Sequence, residues 1–455
     1  MLTPSDLFLS PDLTEEDAQR FLQTLGFRDP VASDRHLQAL AEDVVIREVL
    51  GRIAGELLPA LVDSPDPDAA VVGLSHYLSA RSGRAMFLEY LAEDPRAMHV
   101  LACVFGSSPA LTEILVHHPE YFHWLVSQVE RSAPERDDLE EELDAMLRSA
   151  ADPGEALEVV KSWRQREVLR IATRDLLRRE TVRSVTGQLS DLAAVAIHRT
   201  LDILTERAGA DQSQGAPPAK LAVVALGRLG GHDLSYHDDV ELICVFEGAH
   251  VSVQRFFDRA GAELQEALAG GTTNEAMYRL HLSASQLDDH ARRMRTEGSL
   301  SDRLRLVQAS AVAGDGDLGR RSVQSLQTYV FDQPRQPEEV ATALRGESRQ
   351  AGSAAQVEEL IQLLQLAHGT EHDSVRQSGT LPAIDALAAA GALDEARRRE
   401  LVQAYVFLRT VEHRTQLANG GQTGLGAEED VQKQVMFYRD RITELSHAAA
   451  DELSS

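Results

Sequence analysis

Apolar residues recur at intervals of three and four along most of the chain, which is the spacing of amphipathic helices. Before residue 208 this spacing predicts helices over residues 34–62, 69–80, 84–92, 109–117, 120–130, 155–180 and 183–207. After residue 303 it predicts helices over residues 355–367, 381–390, 397–418 and 430–452. The polar stretch 131–154 is predicted to be a linker with one short helix. Both ends of the chain are therefore expected to be helical.

The middle of the chain has a different pattern. Short apolar runs at 221–226 and 241–246 predict buried strands, and the alternating run 277–282 predicts a third. Residues 251–269 have helical spacing, whereas the Gly- and Pro-containing segment 208–219 is typical of a loop.

These elements predict an α+β fold, mostly α, with a small α/β core between helical domains at either end. The predicted boundaries give a helical N-terminal domain at 1–180, the core domain at 181–332 and a helical C-terminal bundle at 333–455.

Charge and composition narrow the class of protein. The chain has 455 residues and a formal net charge of −27, which disfavours general binding to nucleic acid or to an anionic membrane. The arginine-rich run 164–179 is predicted to be a solvated or domain-bridging helix face. The apolar runs are far shorter than the about 20 residues that cross a membrane. The start MLTPSDLFLS lacks the basic region of a signal peptide.

Two cysteines, Cys103 and Cys244, cannot build a disulfide framework or a thiolate zinc site. Both lie in apolar runs, which favours buried thiols in a reducing compartment, so a cytoplasmic protein is expected.

Candidate chemistry is concentrated between the first two predicted strands. The glycine turn 227–231 follows a strand directly, where backbone amides can approach a phosphate because no Cβ intervenes. Asp239 and Glu241 are two residues apart in a strand, so their carboxylates share a face and can hold divalent cations. The alternative is a plain glycine turn followed by a solvated acidic strand end.

Histidines offer a second possible metal site. His232, His237 and His281 can in principle gather near Asp239 and Glu241, and an imidazole-rich set of ligands suits Zn²⁺ or Mn²⁺ better than Mg²⁺.

The string LAVVALGRLGGHDLSYHDDVELICVF, residues 221–246, resembles the nucleotidyltransferase motif of the bacterial glutamine synthetase adenylyltransferase family. That motif typically reads GMGKLGG-x-ELN-Y-SSDIDLIF. Further similarities lie at 25–30, 188–193, 311–315 and 404–417, so the resemblance covers nearly the whole chain. It implies a polymerase-beta-like core, Mg²⁺ (or Mn²⁺) and an adenine nucleotide as cofactors if the site is active, and glutamine synthetase or another nitrogen-regulation protein as partner.

The family's usual protein has two such units in tandem, one that attaches AMP to glutamine synthetase and one that removes it. This chain resembles one unit, more closely the AMP-removing one. The resemblance implies site residues in three roles. Asp239 and Glu241 are the implied catalytic residues, and with His281 the implied metal ligands. The implied nucleotide-binding residues are Gly227, Arg228, Gly230 and Gly231.

Departures from the family motifs concern charged groups. The family's Asp-x-Asp is Asp239-Val240-Glu241 here, and its third acidic position falls on His281, a poor ligand for Mg²⁺. The arginines and proline that follow are replaced around 283–285, and the Lys and Arg of KARPVAGD are absent from 308–315. Of the charged residues in the family's GGIREIE, the segment 352–358 retains only the final one, Glu358.

Because nucleotidyl transfer depends on charge stabilisation, these losses predict impaired catalysis. Two hypotheses follow: a family nucleotidyltransferase that regulates glutamine synthetase with a degraded site, or a non-catalytic regulator that keeps the fold to bind a partner.

Overall fold

The protein is described from a computed structural model, which covers residues 2–210, 220–247, 256, 257, 259–265, 279–286, 299–331, 337–346, 348, 350–419 and 429–454. Its contacts divide the chain into two compact units. Unit 1 comprises residues 1–133, 165–181 and 416–423, and unit 2 comprises 134–164, 182–415 and 424–455. The domain boundaries predicted near residues 180 and 332 stay predictions.

Unit 1 is built from short helices. They are α1 (Asp6–Leu9), α2 (Glu15–Leu25), α3 (Pro30–Leu40), α4 (Val44–Val62), α5 (Pro67–Ala80), α6 (Arg84–Glu93), α7 (Pro95–Ser107), α8 (Pro109–His117) and α9 (Tyr121–Gln128). Four of them begin with proline directly after an Asp or Ser cap. Proline suits the first helical position because its missing N–H has no helical partner there, and the cap side chain accepts a bond from a free backbone amide.

Two helical predictions in unit 1 need correction. The pattern over 34–62 is two helices, because the Asp43 side chain accepts the amides of Val45 and Ile46, at 2.8 and 3.1 Å, and starts a new helix there. Helices α1, α2 and α7 were not predicted, although α7 contributes Met98, Leu101 and Phe105 to the core.

Unit 2 contains the sheet and the remaining helices. The helices are α10 (Arg136–Leu147), α11 (Pro153–Leu176), α12 (Val182–Ala210), α13 (Gly227–Gly230), α14 (Leu300–Val307), α15 (Gly316–Phe331), α16 (Pro337–Arg345), α17 (Ala354–His368), α18 (Thr380–Ala389), α19 (Glu395–Asn419) and α20 (Glu429–Ser454). Two helices, α11 and α19, have residues in both units. A 3-10 turn lies at Asp373–Val375, and residues 259–265 are helical.

The sheet has four strands in the order β3-β2-β1-β4. They are β1 (Lys220–Leu226), β2 (Asp239–Glu247), β3 (Arg279–Gln286) and β4 (Ser310–Gly314). β1 is antiparallel to both β2 and β4, and β2 is parallel to β3. The three predicted strands are confirmed as one sheet, in which β2 pairs with both β1 and β3. Residues 277 and 278 of the third predicted strand lie outside the residues that the structure describes.

β4 corrects the prediction that the chain returns to helices after residue 303. The predicted loop over 208–219 is helical up to residue 210, and 211–219 lie outside the described residues. Of the predicted helix 251–269, residues 256, 257 and 259–265 are helical in the structure, and the others are not described.

One face of the sheet forms the core of unit 2. The inward side chains of Val224 and Leu226 on β1 and of Ile243 and Val245 on β2 are buried against apolar residues of the helices that follow β3. The predicted α+β, mostly α class is confirmed. Among the described residues, no helix combines the length and apolar character needed to cross a membrane.

Candidate functional site

Asp239 and Glu241 lie at the start of β2 and on one face of the sheet, as the alternation predicts. Val240 between them is fully buried on the opposite face. β3 runs parallel, so that His281 stands opposite Glu241, and its Nε2 lies 3.9 Å from Oδ2 of Asp239. The sheet therefore brings together the three predicted metal ligands, which we call the acidic edge (Asp239, Glu241 and His281).

An arginine that the sequence did not single out occupies this edge. The guanidinium of Arg305, on α14, donates from Nε to Oε2 of Glu241 at 3.0 Å and makes a second close contact with Oε1. Asp302, one helical turn earlier, lies 3.7 Å from the same guanidinium. The carboxylate of Glu241 is thus already paired with a cation of the chain itself.

This arrangement does not fit a pair of magnesium ions. Magnesium needs open oxygen ligands at about 2.0–2.1 Å in near-octahedral geometry. Here one carboxylate is paired with Arg305 and the third ligand is an imidazole. No group of three His, Cys, Asp or Glu side chains within the described ranges is placed to hold a metal ion. The metal-binding roles of Asp239, Glu241 and His281 therefore stay predictions.

Arg228, on the glycine turn, is the centre of a half-buried charge network. Its guanidinium donates to Asp238 Oδ1 at 2.9 Å, to Glu358 Oε1 at 3.1 Å and to Glu412 Oε1 at 2.7 Å. These carboxylates come from the segment before β2, from α17 and from α19 respectively. We call these four residues the Arg228 network. The cation that the resemblance assigns to nucleotide binding is thus surrounded by three carboxylates.

A second arginine, Arg409, adds a positive charge beside the Arg228 network. Arg409 is fully buried, donates to Glu412 Oε2 at 3.1 Å and also donates to the backbone carbonyl of Asp233. Burial alone would raise the pKa of Glu412, but the positive charges of Arg228 and Arg409 outweigh it and hold that pKa below its ordinary value. For Glu358 burial outweighs the same charges, so its pKa is raised.

Close packing requires glycine at position 230 of the turn. A Cβ at Gly230 would lie 2.1 Å from the carbonyl oxygen of Gln308 and 2.4 Å from that of Ala225. The amide of Gly231 donates to the carbonyl of Gly227 at 2.8 Å, which closes the single turn α13. Phosphate binding by Gly227, Gly230 and Gly231 stays a prediction.

Among the residues that the structure describes, His232 and His237 form no metal-binding group with the acidic edge. His232 Nε2 lies 3.1 Å from Oδ1 of Asp191 on α12, a contact that outweighs burial and raises the pKa of the imidazole. His232 also has a positive φ of 59°, which is rare for a residue with a Cβ.

The arginine-rich run 164–179 is a correction. Arg164, Arg170 and Arg174 are buried, and Arg170 Nε donates to Glu167 at 2.7 Å inside unit 1. The solvated alternative of that prediction was wrong, because helical spacing of charges does not reveal that carboxylates and backbone carbonyls are buried beside them. The domain-bridging alternative stays a prediction.

Two family models match parts of the chain. The family model described as glutamate-ammonia ligase adenylyltransferase matches residues 98–283, which include Arg228 and the acidic edge. The model described as GlnD PII-uridylyltransferase matches residues 352–437, which include Glu358 and Glu412.

Several curated relatives are named bifunctional glutamine synthetase adenylyltransferase/adenylyl-removing enzyme. The one from Streptomyces avermitilis is 29% identical over 92% of this chain and 44% of its own length. Those from Streptomyces coelicolor and Mycobacterium leprae are each 27% identical over 92% of the chain, and 46% and 45% of their own lengths are covered. The chain spans less than half the length of these relatives.

Proposed function

Since the chain belongs to the glutamate-ammonia ligase adenylyltransferase family, we propose that it acts on glutamine synthetase as a regulator whose adenylyl transfer or removal is impaired. The observation that carries this proposal is the pairing of Glu241 with Arg305. A carboxylate that the family motif assigns to metal binding is neutralised by the protein's own guanidinium.

The physical argument concerns charge in the transition state. Phosphoryl and nucleotidyl transfer are accelerated almost entirely by positioning and by stabilising charge on the phosphate oxygens. In this site Glu241 is paired with Arg305. Arg228 in turn is surrounded by the carboxylates of Asp238, Glu358 and Glu412. A bound adenine nucleotide would have to compete with those carboxylates for the guanidinium.

A non-catalytic role is the second candidate, favoured by the Arg228 network itself. That network joins the glycine turn to α17 and α19 through charge-assisted hydrogen bonds. Such bonds hold the nucleotidyltransferase-like core and the helices after it together independently of any turnover. A regulator that keeps this surface intact can bind glutamine synthetase, or a related nitrogen-regulation protein, without transferring AMP.

The test measures transfer and binding separately. Purified chain is incubated with glutamine synthetase and labelled ATP, or with adenylylated glutamine synthetase and phosphate, in Mg²⁺ and in Mn²⁺. Binding to both forms of glutamine synthetase is followed by biolayer interferometry, and a two-unit relative serves as the positive control. We expect binding and little or no gain or loss of label.

Two results would contradict the proposal. The median turnover of ordinary enzymes is about 10 per second. A turnover within one order of magnitude of that value, if Asp239→Ala abolished it, would establish an active enzyme. Absence of binding to either form of glutamine synthetase would remove the proposed partner.

A further inference from the structure

The acidic edge has two carboxylates and an imidazole, and the positively charged side chain of Arg305 lies against it. We propose that the guanidinium of Arg305 is the resident counter-ion of the acidic edge, stands in for a divalent cation there and keeps the edge free of metal. The inference deepens the proposed function, because it names the residue that separates this chain from metal-dependent transfer.

Arg305 occupies both oxygens of Glu241, one from Nε at 3.0 Å and the other from a terminal nitrogen. A metal ion bound to the same carboxylate would lie about 2.0–2.2 Å from an oxygen, and therefore within a few ångströms of the guanidinium. Two positive charges at that separation repel one another, and the fixed one is attached to α14. Arg305 therefore has to move away before a metal ion can bind Glu241.

Release of Glu241 would leave a set of three side chains with ligand atoms. His281 Nε2 and Asp239 Oδ2 are 3.9 Å apart, and two ligand atoms of one ion are about 3–3.5 Å apart when each bond is about 2.1 Å. Both side chains are well exposed, at 64% and 62%, so they can close that difference by rotation. One imidazole with two carboxylates favours Mn²⁺ or Zn²⁺ over Mg²⁺.

A matched control lies at the other end of the same strand. Arg321 contacts Oε1 of Glu247 at 2.6 Å, and its side chain is 51% exposed, against 52% for Arg305. Arg321→Ala therefore removes the same charge from an acidic residue of β2 without touching the acidic edge.

The experiment titrates Mn²⁺ into the full chain and measures the free ion by electron paramagnetic resonance. Wild type and Arg321→Ala should bind Mn²⁺ weakly and equally. Arg305→Ala should bind one Mn²⁺ about 10- to 100-fold more tightly, since one repulsive charge a few ångströms away has been removed. Adding Glu241→Gln to that variant should abolish the gain, and Mg²⁺ should compete poorly.

Arg305→Gln, which keeps a hydrogen-bond donor but no charge, replaces Arg305→Ala if the latter unfolds. Tight Mn²⁺ binding by the wild type, an unchanged affinity in both Arg305 variants, or a gain that survives Glu241→Gln would each overturn the inference. The metal titration does not depend on adenylyl transfer. If it contradicts this inference, the proposed action on glutamine synthetase is still tested separately, by the gain or loss of labelled AMP and by binding to glutamine synthetase.

Discussion

Replacing Arg228 by methionine removes a positive charge but keeps most of the side-chain volume. In the wild type this guanidinium donates to Asp238, Glu358 and Glu412, at 2.9, 3.1 and 2.7 Å. The variant leaves these three carboxylates close together, with Arg409 as a cation that still lies 3.1 Å from Glu412 and 4.0 Å from Glu358. We therefore expect a large loss in the free energy of unfolding of unit 2, and a loss that depends on pH.

The magnitude follows from two limits. Removing one partner of a buried ion pair costs about 3–5 kcal/mol, because the remaining charge is left uncompensated. The orphaned carboxyls can limit the cost by taking up a proton, at about 1.4 kcal/mol for each pH unit above their intrinsic pKa. From an ordinary glutamate pKa of 4.5, neutralising one carboxyl at about pH 7 costs about 3.4 kcal/mol, within the first range.

The sign of the pH dependence follows from proton uptake. In the wild type the pKa of Glu412 is depressed, so its contribution to stability is present above about 4.5 and is lost only as the pH falls below that value. In the variant the folded state holds an extra proton, so its stability falls as the pH rises. The loss caused by Arg228→Met should therefore shrink by about 1.4 kcal/mol per pH unit and per proton between about pH 7.5 and 5.5.

The assay uses a tryptophan inside unit 2. The chain has two tryptophans, and Trp163 is buried in unit 2 with its Nε1 donating to Glu142 at 3.0 Å. In a Trp124→Phe background, urea unfolding followed by fluorescence therefore reports on that unit. Arg321→Ala, which breaks an exposed pair, should change the free energy of unfolding by less than about 1 kcal/mol at both pH values.

A loss of equal size at both pH values would refute the reasoning, because it would mean that packing rather than charge was removed. If Arg228→Met does not fold at neutral pH, Arg228→Lys tests the same point. The lysine variant keeps the positive charge but cannot donate hydrogen bonds to all three carboxylates in the same way. Its loss in the free energy of unfolding should be smaller than that of Arg228→Met and nearly independent of pH.

Three further outcomes are expected. Gly230→Ala should destabilise unit 2 by at least about 3 kcal/mol or prevent folding, since two backbone oxygens would lie within 2.4 Å of the new Cβ. Urea unfolding measures this change, and a loss in the free energy of unfolding below about 1 kcal/mol would contradict the prediction. Burial raises the pKa of the Cys244 thiol to about 12, so a thiol reagent should label Cys103 first in the native protein and both cysteines only in denaturant. Early labelling of Cys244 in the native protein would show that β2 opens. His232→Gly should destabilise the protein below about pH 6, where the raised pKa keeps the imidazole charged beside Asp191, and should be neutral or stabilising above about pH 8, where only the relief of the positive φ remains. Equal changes in the free energy of unfolding at both pH values would exclude that ion pair.

Local patterns predicted the elements that are long or strongly apolar. The runs of β1 and β2 and the helices from α17 onwards appear close to their predicted bounds. β4 was missed because its residues are small and its burial is uneven; pairing with β1, which no local pattern contains, makes it a strand. Propensity is only a weak prior when tertiary contacts decide.

The candidate site divides in the same way. Asp239 and Glu241 share a face because strand alternation requires it, and that could be predicted from spacing. Their pairing with Arg305, and that of Arg228 with Glu358 and Glu412, joins positions far apart in sequence. Such contacts depend on how α14, α17 and α19 are placed against the sheet, which spacing does not encode.

The order of the strands has a consequence for synthesis on the ribosome. β1 lies inside the sheet, between β2 and β4, yet β4 is translated last, after β2, β3 and α14. When β2 has paired with one edge of β1, the other edge still presents unbonded amides and carbonyls in an apolar strand. An unpaired edge of this kind recruits other chains. Slow translation before residue 310 should therefore increase co-translational aggregation, and a chaperone that covers β1 should suppress it.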